Sequence, residues 1–372
     1  MRCKWGDIIT LEYGKPVPDK EKKDGQYPVY GTNGQIGTTD LSPLCPYPSV
    51  ILGRKGAYRG VHFSETPFSV IDTAFYLKNK TDKLDLRWAY YKFLTYDVNR
   101  MDSGSAIPST DRYEIYSISL DLPPLSVQHS TTGVLLNIDD KIAINTKINH
   151  NLEQQAQAIF KSWFVDFEPW GGVMPEDWRE GTISEIAADI VCGKTPSTKV
   201  AEYFGEDIPF ITIPDMHGRV YVTTTERSLS ITGAASQATK TVPADSVCVS
   251  CIATAGLVII TSQVSQTNQQ INTIVCKDGF SPFYVYLTMV RMADHIRMLG
   301  SSGSATNNLN KGQFSKIEIL IPSTGVLKEF SLLITPTFKK IRENQQESEH
   351  LAELRDTLLP KLMSGELSVA DI

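Results

Sequence analysis

A chain of 372 residues, 41% hydrophobic and 21% charged, is too long for one ordinary domain and has the composition of a globular protein. Its formal charge of −6 excludes a broadly basic nucleic-acid binder, so any surface for nucleic acid must be a local patch or be shared with a more basic partner. No apolar run reaches the about 18 residues of a membrane helix, and Met1-Arg2-Cys3-Lys4-Trp5-Gly6-Asp7 has no signal-peptide core, so a cytoplasmic protein without membrane contact is expected.

The first third reads as short β-branched strands bounded by Gly, Pro or Asn, at 49–52, 70–77 and 116–122, with a helix at 86–96. Its loops carry hydrogen-bonding groups. Lys15 follows Gly14, and Asn33 and Gln35 lie in the turn 30–37. Gly53-Arg54-Lys55-Gly56-Ala57-Tyr58-Arg59-Gly60 sets three cations and the Tyr58 phenol among glycines, where the backbone can approach a phosphate. Ser105, Thr110 and Arg112 complete the candidates of this region.

Pro123-Pro124 opens a long helix, running from about 126 to 166, in which Thr131, Ile138, Asn145, Leu152 and Ile159 fall seven apart. Leu135, Ile142, Asn149, Ala156 and Trp163 form the companion row, and Pro169 with Gly171-Gly172 ends the helix. Strands follow at 221–224, 246–260, 271–276 and 316–321, with a helix at 282–299. Candidate contacts in this stretch are Lys194, Thr195, His217, Arg219, Gln266, Asn268, Gln269, Gln270, Ser304, Asn307 and Lys311, because Asn and Gln can pair with adenine through two bonds and Lys or Arg can neutralise phosphate. A second heptad seam joins Phe330, Thr337, Asn344, Leu351 and Leu358 to Ile334, Ile341, Ser348, Arg355 and Leu362. Pro336 inside it predicts a kink or a late start, and Pro360 with Gly365 closes it. Each seam keeps an asparagine at the same place, Asn145 and Asn344, a residue that costs stability and can fix register.

The two parts are repeats. At a constant offset of 199 residues, Ser103-Gly104-Ser105-Ala106 recurs as Ser302-Gly303-Ser304-Ala305, Ile118, Leu120, Leu122 and Pro123 recur as Ile317, Ile319, Ile321 and Pro322, and Asn145 recurs as Asn344. The starts match more loosely, Gly14-Lys15-Pro16 with Gly193-Lys194-Thr195-Pro196, so the second repeat carries an early insertion.

Enzyme motifs fail on inspection. Asp121-Leu122-Pro123-Pro124-Leu125 resembles the acidic-Pro-Pro-aromatic loop of amino-methyltransferases, but Leu122 intervenes and Leu125 replaces the aromatic. No glycine-rich dinucleotide or S-adenosylmethionine signature and no phosphate-binding P-loop is present. Cys248 and Cys251 form one CxxC in an apolar run without a second pair, which reads as buried thiols rather than a metal site. No catalytic residue, metal or cofactor is therefore expected in this chain. Two function classes stay open: a DNA-binding scaffold, and a duplicated protein-interaction module with a dimerising coiled coil.

The helical segments favour the first. DDKIAINTKINHNLEQQAQAIFKSWFVDFEP and LAELRDTLLPKLMSGELSV resemble the helical regions of the specificity subunits of type I restriction-modification systems, and the resemblance covers nearly the whole chain. It implies an α+β protein: two mixed α/β target-recognition domains in pseudo-twofold repeat, at 1–122 and 169–325, separated by two long antiparallel coiled-coil helices, at 123–168 and 326–372. It implies a non-catalytic subunit that reads a bipartite target in double-stranded DNA. It further implies two modification subunits that bind S-adenosylmethionine and methylate adenine, joined by two restriction subunits for cleavage.

Overall fold

The computed structural model describes residues 1–18, 20–101, 108–301 and 309–371, and divides into two units, Met1–Lys141 with Leu351–Ile372, and Ile142–His350. Each long helix is shared between them.

In the first unit the apolar run Ser49–Gly53 becomes an interior strand buried at all five positions. It lies in an antiparallel sheet between Ala74–Asn79 and Val61–Ser64, with Ile9–Tyr13 at the far edge. The helix Leu86–Leu94 starts where the Asp85 carboxylate accepts from Trp88 N, and it buries Trp88, Ala89, Tyr91 and Phe93. Trp5 stacks on Phe93 with ring centroids 4.4 Å apart, so the chain start is part of this core. A smaller sheet joins Gly34–Thr39, Tyr27–Gly31 and Ser69–Val70. The strand Arg2–Lys4 pairs antiparallel with Ser119–Asp121, which closes the domain immediately before the first long helix, Leu125–Phe164. Gln128 of that helix is fully buried. Its Nε2 donates to the carbonyls of Lys83 and Pro123, and its Oε1 accepts from Asp85 N. Arg355 of the second long helix, Thr324–Ser364, donates to Asp139 at 2.9 Å, and Tyr91 donates to the same carboxylate at 2.7 Å.

The second unit repeats this plan with an enlarged second sheet. Its main sheet has the order Ala187–Cys192, Ile271–Cys276, Val247–Ser250, Val258–Thr261, Tyr221–Val222, and Arg179–Thr182 pairs with Glu318–Ile321. Short strands, Phe204–Gly205, Ser228–Leu229 and Thr241–Val242, join a second five-stranded sheet. Within this unit the long helices run antiparallel. Asn145 Nδ2 donates to Glu347 Oε2 at 2.8 Å and to Ser348 Oγ at 3.3 Å, while Asn149 Nδ2 donates to Ile341 O at 3.1 Å. Asn344 Nδ2 donates to Asn149 Oδ1 at 2.8 Å. Asn145 with Ser348, and Asn344 with Asn149, are the same pair under the 199-residue offset.

Every position of both heptad rows is buried or half-buried. The expected effect of Pro336 is corrected: Thr324–Ser364 runs without interruption through Pro336 and Pro360. The carbonyl that Pro336 leaves without a donor is that of Leu332, an exposed residue, where solvent can take the place of the lost bond. Local boundaries also differ. The expected strand 116–122 begins only at Ser119, because Asp111 caps a helix at Arg112–Ser117. The stretch 70–77 is split between Ser69–Val70 and Ala74–Asn79, and 246–260 is two antiparallel strands. The helix expected at 282–299 is two, Pro282–Arg291 and Ala293–Ser301.

The repeat extends into the domains as shared backbone hydrogen bonds. Lys15 N donates to Val70 O at 2.8 Å, and Lys194 N to Thr267 O at 2.9 Å. Gly53 N donates to Gly60 O and Ser250 N to Leu257 O, at 2.8 and 2.9 Å. Arg54 N donates to Thr73 O and Cys251 N to Gln270 O, both at 2.8 Å. Thr110 N donates to Arg54 O at 2.8 Å, and Leu309 N to Cys251 O at 3.0 Å. These bonds place equivalent loops in the two units.

Candidate nucleic-acid interface

In the first unit the candidates gather where three loops meet. A Cβ on Gly14 would lie 1.9 Å from Ile71 O, so only glycine lets the chain press onto the 70–74 loop and leave Lys15 exposed beside it. That loop also holds the basic segment. Arg54 Nη1 donates to Asp72 O at 3.0 Å, and Lys55 Nζ lies 3.4 Å from Asp72 Oδ2. The turn between Tyr27–Gly31 and Gly34–Thr39 reaches the same place, since Gly60 N donates to Thr32 O at 2.9 Å. Asn33 and Gln35 of this hairpin and Tyr58 are exposed. Burial holds the nearby His62 below the ordinary imidazole pKa, favouring its neutral form.

Tyr13 escaped the sequence reading. The Arg54 guanidinium carbon lies 4.7 Å from its ring centroid and that of Arg112 lies 4.9 Å away, so one ring carries two cations. Arg112 Nη2 donates to Tyr113 Oη at 3.1 Å, a bond that raises the guanidinium pKa.

Two candidates of this unit are corrected. Arg59 is 1% exposed. Its guanidinium donates to the carbonyls of Gly56, Val98 and Asn99 at 3.3, 3.2 and 2.7 Å, so it braces the loop from inside and presents nothing to a ligand. Thr110 is buried as well, its hydroxyl donating to Gly53 O at 3.2 Å.

In the second unit Lys194, Thr195 and Gln269 come together. Lys194 is exposed, and Thr195 Oγ1 donates to the exposed Gln269 at 2.7 Å. Gln266 is corrected: it is 0% exposed, and its Nε2 donates to Ala234 O and Thr241 Oγ1 while its Oε1 accepts from Gln237. Asn268 is also buried, donating to Gln270 Oε1 at 3.0 Å, so the polar run 266–270 spends most of its amides on the protein. His217 is exposed after the short helix Ile213–Met216. Arg219 is held by Glu349 of the long helix at 3.2 Å. Lys311 is exposed and lies 3.7 Å from Asp189. Ser105, Ser304 and Asn307 lie outside the described residues.

Cys248 and Cys251 are buried free thiols, pushed up to about 12 and about 11 by burial. Among the described residues no group of three His, Cys, Asp or Glu side chains could hold a metal ion, and no helix is long and apolar enough to cross a membrane.

Comparison with known proteins bears on this surface. A family model described as the type I restriction modification DNA specificity domain matches residues 2–154 and 175–349. The type I restriction enzyme HindI specificity subunit of Haemophilus influenzae is 37% identical over 321 residues, covering 68% of this chain and 70% of that protein. The MjaIX specificity subunit of Methanocaldococcus jannaschii is 27% identical over 406 residues, covering 99% and 89%. The crystal structure of the type I restriction-modification S subunit from M. genitalium superposes with a TM-score of 0.64 at 15% identity, over 98% of this chain and 96% of that one, which speaks for the fold.

Proposed function

Because the chain belongs to the type I restriction-modification specificity-subunit family, we propose that its two repeats each read one half of a bipartite DNA target and that its helices hold modification subunits at that target. The observation that carries this reading is the shared hydrogen-bond framework with different side chains on its loops. Arg54, Lys55, Asn33 and Gln35 stand on one copy, and Lys194, Thr195 and Gln269 on the other. A common scaffold with unlike loops is what two independent readers of unlike half-sites require. In this reading the chain is cytoplasmic and non-catalytic. Two modification subunits bind S-adenosylmethionine and methylate adenine, and two restriction subunits join them for cleavage.

The strand pair of Arg2–Lys4 with Ser119–Asp121 makes 1–122 a self-closed exchange segment. Replacing it with the matching segment of a relative, in a host that carries the modification subunit, should change one half of the methylated motif and leave the other. A motif that changes in both halves, or in neither, rejects independent reading.

A further inference from the structure

We propose that Arg54 and Arg112, gathered at the Tyr13 ring, form with the adjacent Lys55 a clamp for the phosphodiester backbone that the second unit lacks, so that the salt-sensitive part of DNA binding belongs to the first unit. The proposal rests on the DNA-reading function above and adds a division of labour to it.

The shared backbone bonds allow a position-by-position comparison. Arg54 and Cys251 hold the same place, each donating its N–H to the 70–74 loop or its counterpart and accepting at its carbonyl from Thr110 or Leu309. Counting on from there, Lys55 corresponds to Ile252 and Arg59 to Gly256. Gly14 and Gly193 also match, each pressed against the opposite loop, so Tyr13 corresponds to Cys192. The 199-residue offset sets Arg112 against Lys311. Where the first unit has an aromatic ring between two guanidiniums, the second therefore has two thiols and one ammonium. That ammonium lies 3.7 Å from the Asp189 carboxylate.

The first unit's cluster is short of negative charge. Among the described residues Asp72 is the one carboxylate within ion-pair distance of Lys15, Arg54, Lys55 or Arg112, and it faces Lys55. Both guanidinium carbons lie within 5 Å of the Tyr13 centroid, so they are less than about 10 Å apart, within about one Debye length at moderate salt, and their repulsion is only partly screened. Arg112 Nε is buried with no hydrogen-bond partner. The ring orders both cations before a ligand arrives; Arg54 Nη1 is engaged by Asp72 O and Arg112 Nη2 by Tyr113 Oη, and the remaining terminal N–H groups are left for phosphate oxygens. The counterparts of Arg54 and Lys55, Cys251 and Ile252, carry no charge, and an uncharged loop releases no counterions.

The test uses the chain assembled with its modification subunits and a labelled duplex carrying the motif that methylation sequencing of the host defines, with affinity followed against salt. Each phosphate contact contributes about 0.9 to the slope of log affinity on log salt. Arg54→Gln with Arg112→Gln should lower that slope by about 1.8. Lys194→Gln with Lys311→Gln should lower it by less than half as much. An unchanged slope in the first pair, or an equal or larger loss in the second, overturns the clamp. Tyr13→Phe should keep the wild-type slope. Should the glutamine pair fail to assemble, Arg54→Lys with Arg112→Lys retains the charge and should retain the slope; a falling slope there also overturns the proposal. Failure of the underlying function is a separate result: the unsubstituted complex would bind the motif duplex no more tightly than a scrambled one.

Discussion

Arg59 lies five residues from Arg54 in one basic loop, yet its substitution should act on the order of that loop and not on a phosphate contact. Arg59→Met removes a guanidinium whose bonds to Val98 and Asn99 carbonyls tie the 53–60 loop to the chain beyond the helix Leu86–Leu94. A hydrogen bond from a charged donor contributes about 1.5–3 kcal/mol, so these two together hold the loop by at least about 3 kcal/mol, with the Gly56 bond near the surface counted as nothing. At 1.4 kcal/mol per tenfold, local opening should become about a hundredfold more frequent. Hydrogen exchange resolved by mass spectrometry reads this directly. The amides of Gly53, Arg59 and Gly60, which donate to Gly60 O, Asn99 Oδ1 and Thr32 O, should exchange faster, and peptides of the second unit should not. DNA affinity should fall through loss of order, with the salt slope retained. Unchanged exchange together with a slope lowered by about 0.9 would show that Arg59 reaches a phosphate, and would refute its assignment as an internal brace.

The long helices, of 40 and 41 residues, offer a test of spacing. A heptad copied from 143–149 and inserted after Asn149, with one copied from 342–348 after Ser348, gives each seam asparagine a partner again. At about 1.5 Å per residue it adds about 10 Å, or about 3 base pairs. Methylome sequencing should show unchanged half-site bases with a longer gap, and an active variant with the old gap would reject the helices as spacer. Asn344→Ala should cost about 1–3 kcal/mol, because the buried Asn344 side chain is lost and the oxygen of the half-buried Asn149 loses its donor, whereas Gln346→Ala on the exposed face should change stability by less than about 0.5 kcal/mol; equal shifts in calorimetry would reject a structural role for this polar layer.

The helices were legible because a seven-residue period is a property of sequence alone. Thr131 to Trp163 and Phe330 to Leu362 could be assigned to one face without knowing what lay opposite. Pro336 was misjudged for the complementary reason: its cost depends on whether the Leu332 carbonyl meets protein or water, and the pattern does not carry that. The strand Ser49–Gly53 announced itself through its short aliphatic run, Val50-Ile51-Leu52. The two-residue strands Phe204–Gly205 and Ser228–Leu229 did not, since they exist only through the partners that the tertiary fold brings to them.

The site was less legible than the fold, and the structure shows where the information lies. In Gly53-Arg54-Lys55-Gly56-Ala57-Tyr58-Arg59-Gly60, Arg54 and Arg59 are chemically alike; the carbonyls of Val98 and Asn99, some forty residues away, turn one inward. Gln266 and Gln269 are likewise indistinguishable until Gln237 claims the first. Tyr13 carries no mark of its role in the sequence: alternation with the buried Ile9 and Leu11 would face it to the core, while its position at the end of the strand Ile9–Tyr13 puts it past the core, among the loops. In each case the framework bonds first decide which polar groups are consumed internally. What they leave free differs between the two copies, and that remainder is where unlike half-sites can be told apart.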